Sequence, residues 1–118
     1  MRSKTFSNED VALLRELFRS TLEAASAIYD AHVFRVFADG KWAEKPTKGM
    51  YDAVMVALSE FSEQFGALVE RKSQVLEATQ VLLEREGVSA ITGRASTKKD
   101  LENRIALFRT LFRDVLAA

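Results

Sequence analysis

Side-chain catalysis runs mostly through histidine, cysteine or converging carboxylates, and this chain has few of them. His32 is the single histidine among 118 residues, and there is no cysteine. One imidazole cannot build a histidine metal cluster. Without cysteine, a thiol nucleophile, a zinc ribbon and a disulfide scaffold are all excluded. A lone histidine is usually a satisfied or exposed loop residue; the sharper alternative for His32 is a general base in a cleft. The acids do not repeat as Glu-x-x-His, the inward-facing di-iron pattern of helical bundles. Glu60 and Glu63 are three apart, but Ser62 reads as the start of a new helix between them. Neither phosphate-cradling glycine loop, G-x-x-x-x-G-K-[ST] or G-x-G-x-x-G, is present. Gly93-Arg94-Ala95-Ser96 could hold an anion through its amides, although a plain capped helix start explains the same residues. These residues predict no catalytic group, no cofactor and no metal.

Two charged features remain. Arg104 falls between Leu111 and Phe108 on the wheel of the last helix, inside an apolar stripe. A guanidinium there needs an acceptor to offset its desolvation, and Asp100, one turn earlier, can supply one. The alternative is an arginine facing a bound phosphate or a partner. The second feature is the stretch 94–113. It holds Arg94, Lys98, Lys99, Arg104, Arg109 and Arg113 against Asp100 and Glu102, a local excess of four positive charges. Such a face can attract nucleic-acid phosphates. It is equally the ordinary wet side of a helix whose C-terminal half favours cations.

Long helices must position these groups. One proline and five glycines leave few interruptions. Ser7 and Asp10 make a box-like start for a first helix over 8–30. Its apolar half carries Val11, Leu13, Leu14, Leu17, Phe18, Thr21, Leu22, Ala25, Ile28 and Tyr29, and one buried side is expected along its whole length. Arg19 and Glu23 pair on the wet side. Residues 32–37 are dense in apolar side chains with little helical pattern, and read as irregular or briefly extended. A polar connector, 38–46, follows and contains Pro46. Thr47 caps a second helix over 48–60, apolar nearly all round except for Asp52 and Ser59, and so the expected centre of the fold. A third helix is expected over 63–86, stopped by Gly87, with Lys72 inside its apolar stripe as a snorkelling side chain or displaced by a bend near Gly66 or Ser73. A fourth, over 97–116 and capped by Ser96 or Thr97, turns Leu101, Ile105, Phe108, Leu111, Phe112, Val115 and Leu116 inward. The expectation is an all-α fold: one helical domain over 1–118, a bundle of four main helices around 48–60.

The order of short motifs resembles a known tail. Phe34-Arg35, then Met50 to Leu58, then Ile91 to Asp100, then Arg104-Ile105 are similar to the C-terminal helical region of the ParB-like restriction family typified by GmrSD enzymes, bacterial phage-defence proteins. The resemblance spans roughly residues 8–116. It implies a helical scaffold or contact module and singles out Phe34, Arg35 and Arg104. The family's nucleotide-hydrolysing and DNA-cleaving motifs lie outside this tail. Asp39-Gly40-Lys41-Trp42 is not its Asp-Gly-Gln-Arg signature, and one histidine cannot make a His-Asn-His nuclease. No catalytic role carries over.

Seventeen basic and seventeen acidic residues cancel, which argues against a generally basic nucleic-acid binder. No apolar run approaches the roughly 20 residues of a membrane span, and no secretory signal opens the chain, so a cytoplasmic protein is expected. The expected function is a non-catalytic helical scaffold or interaction module that meets a protein partner or another copy of itself. The rival is a small DNA- or RNA-binding protein using Arg94, Lys98, Lys99, Arg109 and Arg113.

Overall fold

The computed structural model describes residues 7–87 and 98–118. Its first element shows how local sequence chemistry sets a helix boundary. α1 spans Asn8–Tyr29, and Ser7 caps it: the Ser7 hydroxyl accepts from the Asp10 N–H at 3.1 Å, and the Asp10 carboxylate accepts from the Ser7 N–H at 3.2 Å. Two of the orphan donors of the first turn are thereby satisfied. Arg19 is clasped on the wet side by Glu16 and, at 2.6 Å, by Glu23.

After α1 the chain makes a 3₁₀ turn over Asp30–His32 and a two-stranded antiparallel hairpin, β1 (Phe37–Ala38) and β2 (Lys41–Trp42). The polar connector read over 38–46 therefore begins inside a hairpin. Asp39 and Gly40 form its two-residue loop with φ of 54° and 78°, the left-handed pair that Asp-Gly tolerates and that matches strand twist. Trp42 lies between two rings: His32 stacks on it at 4.8 Å, and Phe37 meets it edge-on at 5.1 Å.

α2 spans Lys48–Ser59, capped by the Thr47 hydroxyl, which accepts from the Met50 N–H at 3.2 Å. Met50, Ala53, Val54, Met55, Ala57 and Leu58 are buried, but Val56 is 45% exposed, so one side of this helix has no cover. The single helix expected over 63–86 is replaced by three pieces: a 3₁₀ turn over Ser62–Gln64, α3 over Phe65–Glu70 and α4 over Lys72–Glu86. The break falls at Arg71, neither a glycine nor a proline. The Arg71 guanidinium donates to the carbonyls of Val115 at 2.8 Å and Leu116 at 2.9 Å. These belong to the last turn of α5, which spans Lys98–Ala117. A cation bonded to orphan carbonyls at a helix C-terminus is favourable on both counts. The break also takes Lys72 out of the apolar stripe; its ammonium reaches Asp30 at 3.2 Å and is exposed. Gly87, at φ 87°, closes α4 through its N–H to the Leu83 carbonyl.

The architecture is mostly helical, with five α-helices among the described residues instead of four. One apolar cluster joins all five, drawing Ile28 and Tyr29 from α1, Met50 and Leu58 from α2, Leu68 from α3, Leu83 from α4, and Phe108 and Phe112 from α5. α2 packs mainly on α5 and α1, while α1 also touches α3 and α4. At the centre, the Tyr29 hydroxyl lies 2.9 Å from that of Thr79, which itself donates to the Val75 carbonyl at 2.7 Å. Tyr29 therefore donates to Thr79, and burial pushes its phenol well above the usual range. The expected caps Ser96 and Thr97, the glycine-led turn at 93–96 and Arg94 lie outside the described residues.

Candidate functional site

The predicted site residues do not converge. Phe34 is a scaffold residue. Its backbone stands at φ 61°, a conformation costly for a bulky side chain. Its carbonyl accepts from the Thr47 N–H at 2.9 Å, and its ring meets Tyr51 edge-on at 4.9 Å. These contacts fasten the segment after α1 to the first turn of α2. Arg35 is half-buried, its guanidinium 3.5 Å from the Ala43 carbonyl. Arg104 is 6% exposed within α5, and Asp100 stands half-buried one turn earlier.

The basic face is divided by packing. Arg104 points inward, and Arg109 is held by Glu60 in a two-pronged contact of 2.6 and 2.8 Å. The hydrogen bond from Arg109 is the main reason the Glu60 carboxyl sits below its ordinary range. Lys98, Lys99 and Arg113 are exposed. Of the six cations counted from sequence, these three alone stand open among the described residues.

One polar atom outside α5 bears on chemistry. His32 Nδ1 is buried and accepts no hydrogen bond, with the ring stacked on Trp42. Among the described residues no acid is hydrogen-bonded to it, so the geometry there lacks the orienting partner that a general base uses. Among the described residues no group of three histidine, aspartate or glutamate side chains is placed to hold a metal ion.

The feature that sequence reasoning missed is an exposed apolar surface on α1. The wheel places Val11, Leu13, Leu14 and Phe18 on the buried side. In the fold they are 36%, 69%, 53% and 51% exposed. The reason is length: α2, α3 and α4 cover only the second half of α1, where Thr21, Ala24, Ala25, Ile28 and Tyr29 are buried. The outer half, 8–20, projects beyond its neighbours. Where it leaves α2, Leu14, Leu17 and Phe18 form one wall of a groove of about 390 Å³, and Tyr51, Met55 and Val56 form the other. Several large apolar side chains exposed side by side are uncommon on a lone protein and typically mark a contact surface. A second groove, of about 470 Å³, runs between α4 and α5 and is bordered by Val81, which is 55% exposed.

No described helix is long and apolar enough to cross a membrane. Compared with family models, curated proteins and solved structures, the chain matches none of them.

Proposed function

We propose that this chain is a non-catalytic helical interaction module whose contact surface is the outer half of α1 with the adjoining edge of α2. The observation that carries the reading is the row of exposed Leu13, Leu14 and Phe18 beside exposed Val56. Such side chains favour burial by about 1.5–3 kcal/mol each once a partner removes them from water. The arrangement as a bundle of four helical arms, with α3 and α4 acting as one bent arm against α1 and α5, gives the surface its base. The resemblance to the tail of restriction-type defence proteins implies a contact role within a defence assembly and supports this reading. The nucleic-acid reading is the weaker fit, because Arg104 is internal and Arg109 is engaged by Glu60.

Photo-crosslinking in the native cells tests this. A benzophenone side chain at position 18 should yield a discrete protein adduct that Leu14→Asp with Val56→Asp abolishes. A smear no different from a probe at Glu23 overturns the module reading. Retention of short duplex DNA at low salt, lost in Lys98→Glu with Lys99→Glu, would replace it with the nucleic-acid one.

A further inference from the structure

The surface that needs covering has a matching seat elsewhere on the molecule. Arg71, at the start of α4, holds the end of α5, so the two helices run antiparallel. The groove between them is apolar at its floor, with Ala78, Leu82, Leu107 and Leu111. Its two ends carry opposite charge. Glu77 and Asp114 border the end near Arg71, and Arg85, which also contacts the neighbouring Glu86 carboxylate at 3.1 Å, borders the other. Neither Glu77 nor Asp114 has an ion-pair partner among the described residues.

The outer half of α1 has the complementary form. Val11, Leu14 and Phe18 follow the i, i+3, i+7 spacing of a helix laid into a groove. They span about 10 Å of helix, as do the residues from Ala78 to Arg85. The first turn is acidic, with Glu9 and Asp10. Arg15 lies further along the row, between Leu14 and Phe18, and has no ion-pair partner among the described residues. Laid with Arg15 toward Glu77 and Asp114, the helix brings Asp10 toward Arg85. The reverse orientation sets like charges together at both ends.

We propose that the outer half of α1 of one copy docks in the α4–α5 groove of a second copy. The proposal rests on the interaction-module reading above and names the partner. Because the projecting helix and the seat are different surfaces, the contact is heterologous: it closes reciprocally into a ring or continues as a chain. The surface is small against the roughly 800 Å² per partner of a standard interface, so association belongs in the micromolar range.

Sedimentation of the full chain from about 10 to 500 μM tests it. Wild type should associate with rising concentration. Leu14→Asp with Phe18→Asp removes the ridge, and Val81→Asp with Asp114→Lys removes the seat; each should weaken self-association at least about thirty-fold. Circular dichroism checks that both remain folded, all four positions being exposed. Mixed together, the two variants should form a one-to-one heterodimer, because one retains the seat and the other the ridge. Arg15→Glu should weaken association, and Arg15→Glu with Glu77→Lys and Asp114→Lys should recover it. A wild type that stays monomeric, or a mixture that forms no complex, overturns the proposal. If position 18 then crosslinks to a different protein, the interaction-module reading stands while self-docking fails; if it crosslinks to nothing, both fail.

Discussion

The two halves of α1 carry the same amphipathic pattern and meet opposite fates. Over 21–29 the apolar side is sealed by α2, α3 and α4, and Ala25 and Ile28 have no exposed surface. Over 8–20 the same side faces solvent, and Leu13 is 69% exposed. A helical wheel records which side chains gain from leaving water. It does not record whether the chain supplies enough neighbours to cover them. Where it does not, the uncovered length is the best pointer to a partner, because stability within the chain gives no reason to keep it apolar.

That contrast can be broken by substitution. Ile28→Ala should cost about 2–4 kcal/mol in chemical denaturation, the range for opening a cavity in a packed interior. The parallel change Leu14→Ala should stay within about 0.5 kcal/mol, as at an ordinary surface position. Comparable losses from the two would mean that the outer half is covered within the chain after all. Next in size is Tyr29→Phe, which leaves the Thr79 hydroxyl without its donor and should lower stability by about 1 kcal/mol.

Ser7→Ala sharpens the comparison from the other end. The loss of the capping box should fray the outer half, seen as faster amide exchange over 11–18 and a small fall in helicity, with little change in the global midpoint. If the midpoint falls by several degrees instead, the outer half is coupled to the core. The smallest effect concerns the Glu60–Arg109 contact near the α2 end of the groove. The Glu60 carboxyl is held below its unfolded value, so its contribution is present above the ordinary carboxylate range and is lost as pH falls through its folded value. The pair is well exposed, and solvent screening leaves little of it. Glu60→Gln should therefore flatten the acid limb of a stability profile only slightly.

Much of the helical layout is legible in local chemistry. Ser7 with Asp10, Thr47 and Gly87 mark boundaries because capping and left-handed geometry are decided within a few residues. The hairpin was missed: Asp39-Gly40 is a two-residue turn signal, but Lys41 follows it directly and the polar run over 38–46 reads as a connector. The break at Arg71 was not legible. The carbonyls that Arg71 satisfies lie more than forty residues away, and no local rule registers a donor needed at such a distance.

The candidate surface follows the same division. By itself, the sequence determined that α1 would be amphipathic, that catalysis by histidine clusters or thiols was excluded, and that Arg104 falls within the apolar stripe of its helix. Periodicity and residue type are local quantities, and these conclusions need nothing else. Only the tertiary structure decided which half of α1 is covered, that Arg109 is taken from the basic face by Glu60, and that a groove of opposite charge polarity stands between α4 and α5. Burial and pairing depend on which elements meet in space, and a helix longer than the elements packed on it must leave part of its apolar side for something else to cover.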